Sequence, residues 1–399
     1  MGEIYMSSFF DRVNKVQQNQ NQGDFGYTPS GAVMSHPQQT YAAPTTQKTE
    51  QQIKDDEALQ AIIQDTHAKI CVIGAGGGGT NTVQRLSEVG LEGGVTFAVN
   101  TDAQALLHIK ADRKILIGKQ LTRGLGAGSD PSVGEAAARE SEAELKELLK
   151  DSDLVFITCG LGGGTGTGAA PVIANIAKAQ NALTVGVVTL PFTVEGRNRI
   201  ENALEGLNRL RKEADTVIII PNDKILEIAP DFPVNAAFKV ADEVLVNAVK
   251  GITEMVTKPG LINLDFADLR TILSKGGAAL IGLGESKADK ASDARALEAV
   301  ENALTSPLLD VDISGANRAL INVVGGSDMT LREAEMIVEV VGSRIDQNAH
   351  IIWGAMIDEN MPRSHIQAMV VIAGGKIPFL DGTPQSESSK IDLDIEFTE

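Results

Sequence analysis

Three glycine-rich segments constrain this chain more than any other feature. Gly74-Ala75-Gly76-Gly77-Gly78-Gly79-Thr80-Asn81 follows a short apolar run, and Arg123-Gly124-Leu125-Gly126-Ala127-Gly128-Ser129 precedes a helical pattern. The third, Gly160-Leu161-Gly162-Gly163-Gly164-Thr165-Gly166-Thr167-Gly168, follows another apolar run. Glycine lets backbone N–H groups turn inward and approach an anion closely, and a helix that follows adds its positive end. Several such loops at the C-terminal edge of one sheet can surround a multiply charged phosphate chain.

The surrounding pattern predicts that sheet. Lys69-Ile70-Cys71-Val72-Ile73 is an apolar run that stops at glycine, as a buried parallel strand does, and 95–99, 154–158, 183–188 and 217–220 repeat it. Helical spacing lies between several of these runs, notably over 132–150 and 197–212. Strands alternating with helices predict an α/β fold with a doubly wound, mostly parallel sheet. Phe238, Ala241, Val244, Leu245, Ala248, Ile252, Met255 and Val256 then recur at helical spacing, which predicts one long central helix ended by Pro259-Gly260. Strand-like runs at 278–283, 320–324, 350–356 and 367–372, with helical segments at 293–304 and 330–345, predict a second, smaller α/β domain. The expected organisation is an N-terminal extension over 1–60, largely disordered, a nucleotide-binding domain over 66–237 and the central helix over 238–258. A C-terminal domain over 259–378 and a flexible acidic tail over 379–399 complete it.

Composition narrows the function. The 399 residues suffice for two cores, and 53 acidic against 35 basic residues give a net charge of -18. Such a chain is repelled by nucleic acid and by anionic lipid. Cys71 and Cys159 each sit in an apolar run and read as buried, reduced thiols. No apolar stretch approaches the roughly 20 residues that span a bilayer. The N-terminus lacks a signal-peptide core, and Met6 stands where a myristoylation motif needs Ser or Thr. The expectation is a soluble, cytoplasmic protein without a direct membrane span. Residues 17–50 are rich in Gln, Asn, Thr, Pro and Ser and read as disordered, while Phe9, Phe10, Val13 and Val16 mark either a frayed terminus or a short docking helix.

Two nucleotide-binding alternatives fit less well. Gly74, Gly76 and Gly79 satisfy G-x-G-x-x-G, and Asp102 stands near where a dinucleotide fold places its ribose carboxylate. That reading has no use for a third loop as glycine-dense as 160–168. A P-loop GTPase requires G-x-x-x-x-G-K-[ST], which is absent, so backbone amides must hold any phosphate without the usual lysine.

Gly162 to Gly168 resembles the signature loop of the tubulin/FtsZ family of cell-division GTPases. Asn100-Thr101-Asp102-Ala103-Gln104, Thr189-Leu190-Pro191-Phe192 with Glu195-Gly196-Arg197, and Pro221-Asn222-Asp223 resemble further nucleotide loops of that family, in order over residues 68 to 378. The resemblance implies GTP and GDP as ligands. It implies phosphate contacts from Gly76, Gly77, Ala127, Gly128, Gly162, Gly163, Gly164, Thr165 and Gly166, a ribose end held by Glu195 and Arg199, and guanine read by Asn81, Asn222, Phe238 and Asp242. A carboxylate can accept from guanine N1–H and the exocyclic amine together, which adenine does not offer. Phe238 and Asp242 are four apart on a helix and share a face. From the residues alone, core packing for Phe238 and a solvated helix face for Asp242 stay open.

Gly260-Leu261-Ile262-Asn263-Leu264-Asp265-Phe266-Ala267-Asp268 resembles the family's synergy loop. Twenty helical residues rise about 30 Å, so Asp265 and Asp268 are expected at the far end of the central helix from the nucleotide. The resemblance implies a head-to-tail homopolymer in which these carboxylates reach the next subunit's GTP. Asp265 and Asp268 would position the attacking water, Asn263 would help to order it, and Mg2+ would offset phosphate charge. No all-protein metal site is expected. Read without the resemblance, Asp-Phe-Ala-Asp is a helix N-cap run. The short acidic tail and long N-terminal extension resemble the archaeal branch. They imply a mid-cell division ring with other division proteins and a membrane-anchoring adaptor such as a SepF-like protein.

Overall fold

The computed structural model describes residues 68–375 apart from 229–233, 287–291 and 310. The segment from Phe9 to Val16, read as a frayed terminus or a docking helix, the Gln-rich stretch and the acidic tail lie outside the described residues.

Six short segments, all but β3 largely apolar, form one parallel sheet: β1 (Ile70–Ala75), β2 (Gly94–Asn100), β3 (Arg113–Leu116), β4 (Leu154–Gly160), β5 (Leu183–Leu190) and β6 (Thr216–Pro221). Every residue of β1 is buried. That explains its unbroken apolar run, since helices cover both faces of a parallel sheet. The order is β3-β2-β1-β4-β5-β6, so the chain winds outward from β1 and returns to β4 on its other side. In such sheets ligands bind beyond the carboxyl ends of the two strands at the reversal. Here these are β1 and β4, and a glycine segment follows each.

The helices are α1 (Gly76–Val89), α2 (Ala103–His108), α3 (Lys119–Thr122), α4 (Pro131–Glu140), α5 (Glu142–Leu148), α6 (Thr165–Ala179), α7 (Arg197–Glu213), α8 (Asn222–Ile228) and α9 (Val234–Thr257). α10 (Phe266–Leu273), α11 (Ser292–Leu304) and α12 (Leu331–Arg344) follow. The single helix expected over 132–150 is two. It breaks at Ser141, whose Oγ accepts the Gly118 N–H at 3.1 Å while the chain turns into α5.

The strands β7 (Gly277–Glu285), β8 (Arg318–Gly325), β9 (His350–Ile357) and β10 (Ile366–Ala373) extend the same sheet in the order β7-β10-β8-β9. β7 joins β6 in parallel through Thr216↔Gly277, Val217↔Ala278 and Ile218↔Ala279, and β10 runs antiparallel to both neighbours. Buried Arg295 of α11 pairs with Glu333 of α12 at 2.5 Å and with Asp328 at 2.7 Å. Glu333 also caps α12 by accepting the Thr330 N–H at 2.8 Å. One carboxylate thus fixes a helix start and a helix-helix contact, and its charge is compensated where it is buried.

Helix α9 lies along the sheet with both ends tied. Near its start, the Phe238 ring meets Phe192, just past the carboxyl end of β5. At its end, the Thr257 hydroxyl donates to the Glu92 carbonyl at 3.0 Å, just before β2 begins. From 238 to 257 the helix rises about 30 Å. It therefore runs from the carboxyl edge of the parallel sheet to the amino edge.

Candidate nucleotide site

The glycine segments are helix starts as much as loops. α1 begins at Gly76 and α6 at Thr165, and neither Ala75 nor Gly164 before them supplies a capping side chain. The first N–H groups of both helices thus lack intrahelical and side-chain partners, which leaves an anion-binding end on each. By contrast, Asp130 caps α4 and Asp102 caps α2 through their carboxylates.

Close backbone approach holds these ends together. A Cβ on Gly76, whose φ is +70°, would come within 2.7 Å of the Gly166 nitrogen. A Cβ on Gly164 would meet Ala127 Cβ at 2.9 Å and the Asp130 nitrogen at 2.8 Å. The first and second segments therefore both abut the third. The buried Thr101 and Thr165 hydroxyls bond to each other at 2.6 Å and fasten the turn after β2 to the same place. Gly77 and Gly128 are exposed, and a Cβ on either would meet nothing within 4 Å. Gly128 also has a φ of +59°, which favours glycine by itself, whereas nothing in the protein requires glycine at Gly77 and a ligand resting on the backbone would.

The flanking residues converge on the third segment from the β5–β6 side. The Leu161 N–H donates to the Thr189 carbonyl at 2.9 Å. Arg199 pairs with Glu195 at 2.6 Å, and its backbone carbonyl packs against Gly162. Glu195 also accepts the Phe192 N–H at 2.8 Å, and Asp223 accepts the Thr193 N–H at 2.9 Å. Phe192 is buried and packs edge-on with Phe238, which is 41% exposed. Asn81, on α1, stands one turn before Arg85, whose 2.5 Å pair with Glu243 sets α1 beside α9 at the level of Asp242. Contacts thus link the glycine segments with Glu195 and Arg199, while Phe238 and Asp242 share α9 and Asn81 and Asn222 stand on the neighbouring α1 and α8. Thr101, Phe192 and Asp223, named in the sequence only as members of loop motifs, have supporting roles that the fold reveals.

Two polar groups stand without partners there. Asn222 is 4% exposed and its buried Oδ1 accepts no hydrogen bond. Burial pushes the Asp242 carboxyl up to about 7, with the neighbouring Glu243 carboxylate adding to the shift. Groups of this kind cost stability unless a ligand satisfies them.

The residues of the second pattern lie elsewhere. Asp265 is the N-cap of α10, but its side chain takes no capping bond; its carbonyl accepts the Asp268 N–H at 3.0 Å. Asp265 and Asp268 are both exposed, and Asn263 Oδ1 accepts the Gly260 N–H at 2.5 Å. Arg270, on the same helix, bonds the carbonyls of Asp153 and Asn181, just before β4 and β5. The length of β4, about 20 Å, separates that edge from the glycine segments. The structure therefore does not bring Asp265 or Asp268 to this chain's own candidate nucleotide site.

The comparisons with known proteins agree with this geometry. Residues 69–230 match the model for the tubulin/FtsZ family GTPase domain, and residues 277–376 match the model for the FtsZ family C-terminal domain. The chain is 55% identical to cell division protein FtsZ 1 of Thermococcus kodakarensis, covering 88% of this chain and 93% of that protein. Among solved structures it superposes on an empty FtsZ dimer from M. jannaschii with a TM-score of 0.76 and 58% identity, over 80% of this chain and 92% of that one. CetZ2 from Haloferax volcanii shares the fold at a TM-score of 0.68 and 22% identity, over 77% of this chain and 93% of its own. With both family domains present, and archaeal relatives matched over most of their length, the chain belongs to the FtsZ family of tubulin-like cell-division GTPases.

Proposed function

We propose that this chain hydrolyses GTP at a site completed by the next subunit of a head-to-tail filament, and that the filament serves as a division ring. The observation that carries this reading is the separation of the two halves of the chemistry. The anion-binding helix ends lie at one edge of the sheet, and the exposed Asp265 and Asp268 lie at the other. A chain built so needs a neighbour, and a contact between two different surfaces generates a filament. Exposed apolar side chains favour the same contact. Leu125 and Val194, 85% and 84% exposed, rim the glycine edge, and Leu261, 51% exposed, sits beside Asn263. The dimer seen for the M. jannaschii relative is consistent with self-association.

In this reading the N–H groups of Gly76, Gly77, Gly128 and Gly163 to Gly166 hold the phosphates, with Ala127 against them; the Gly162 N–H, expected among them, instead donates to the Thr167 hydroxyl at 2.9 Å and shapes the loop. Glu195 and Arg199 hold the ribose. Phe238 stacks on guanine, Asn81 and Asn222 bond its edge, and ionised Asp242 accepts from N1–H and the 2-amino group. From the neighbouring chain, Asp265 and Asp268 orient the attacking water, with Asn263 shaping the loop that presents them. Among the described residues no three His, Cys, Asp or Glu side chains gather as a metal cage requires. Mg2+ fits instead as an ion carried on phosphate oxygens, where it would offset the charge that develops on transfer. The separate family matches on either side of α9 support two domains joined by that helix, which begins at Val234 rather than at the expected 238. No described helix is long and apolar enough to cross a membrane. We take the protein to work in the cytoplasm, attached at mid-cell through an adaptor of the SepF-like kind. The test is Asp268→Ala. It should bind GTP and assemble normally but turn it over slowly, and wild-type turnover would refute the shared site.

A further inference from the structure

We infer that Arg270 is a positioning residue for the shared site, clamping the helix that carries Asp268 to the amino edge of the sheet and so setting where Asp268 points. The inference rests on the head-to-tail reading. Arg270 Nη1 donates to the Asn181 carbonyl at 3.3 Å, and Nη2 donates to the Asp153 and Asn181 carbonyls at 3.4 Å each. Its guanidinium carbon also lies 5.2 Å from the centre of the Phe266 ring, in the first turn of the same helix. One planar fork thus joins the starts of two central strands to the first turn of α10. Lysine has a single ammonium centre and cannot reproduce this planar grip.

The rest of α10 shows why the clamp matters to Asp268. Leu269, Ile272 and Leu273 are buried, while Asp265, Ala267 and Asp268 are exposed. At about 100° per residue, Asp268 and Arg270 project from nearly opposite sides of the helix. Fixing one therefore aims the other away from the sheet, towards solvent and a neighbouring subunit. The far end of α10 has its own anchors. Thr216 Oγ1 donates to the Leu273 carbonyl at 2.5 Å, and Arg318 Nη1 donates to the Ile272 carbonyl at 3.0 Å. Loss of Arg270 should therefore free the first turn and leave the helix attached.

The experiment measures GTP affinity, assembly threshold and turnover per assembled subunit for full-length wild type, Arg270→Ala and Arg270→Lys. Arg270→Ala should keep affinity and threshold within about twofold and lose about tenfold or more in turnover per assembled subunit, as a small misplacement of a catalytic group can. Arg270→Lys should fall between. Turnover per assembled subunit equal to wild type in Arg270→Ala, or a loss that only follows a raised threshold, would overturn the inference. If Arg270→Ala does not fold, the lysine variant decides: intermediate turnover supports the clamp, and wild-type turnover overturns it. Failure of the underlying reading is distinguishable, because wild-type turnover per subunit would then not depend on concentration.

Discussion

Phe238 meets Phe192 edge-on, with ring centroids 5.0 Å apart and planes at 87°. This contact ties the start of the central helix to the carboxyl end of β5, and Phe238 stays 41% exposed. An edge-on pair contributes about 0.5–1.5 kcal/mol, and a base stacked on an aromatic face about 1–3 kcal/mol. Phe238→Ala should therefore weaken GDP binding about tenfold or more and lower the melting temperature only slightly. Fluorescent-nucleotide titration beside a thermal melt checks both, and unchanged affinity would remove Phe238 from the guanine site.

Asp242 makes nucleotide binding depend on pH. In the free protein burial holds its carboxyl up to about 7, so at pH 6 most of it is protonated. The proposed guanine contact needs the ionised form, and binding should lower its pKa and release a proton. Affinity should therefore rise about tenfold from pH 6 to pH 8, beyond any change from phosphate titration. The comparison is Asp242→Asn, which keeps the phosphate titration and loses this component. Identical pH profiles for the two proteins would exclude the role.

The glycines of the first segment should separate folding from binding. A Cβ on Gly79 would come within 2.2 Å of the Thr158 carbonyl oxygen, deep in the sheet. Gly79→Ala should lower stability by several kcal/mol, as overpacking with backbone displacement does. Gly77 meets nothing within 4 Å, and alanine is favoured over glycine within a helix by about 1 kcal/mol. Gly77→Ala should melt no lower than wild type yet bind GTP more weakly. Denaturation and nucleotide titration of both variants would show whether the two effects part.

Much of this was legible in the sequence because the physics is local. Buried parallel strands read as unbroken apolar runs, and glycine marks where backbones meet or face a ligand. What was not legible depends on distant partners. β3 escaped notice because Arg113 and Lys114 are exposed and only four residues pair. The break at Ser141 follows from the Gly118 N–H, 23 residues away, and leaves no trace in the helical spacing. Gly76 to Gly79 read as loop, but packing against β4 and α6 holds them in a helix despite glycine's poor propensity. Asn222 carried motif resemblance only, and Asp242 that resemblance with its spacing from Phe238. Their unpartnered burial, the physical reason to expect a ligand, appears once the fold is assembled.

GTP turnover per subunit, followed against protein concentration with Mg2+ present and light scattering recorded in parallel, tests the shared site most directly. A rate that stays near zero below a threshold and rises with scattering above it is the predicted result. A constant rate per subunit across that range, with or without filaments, would mean that one chain carries the whole active site and would contradict the role of Asp265 and Asp268 in the neighbour.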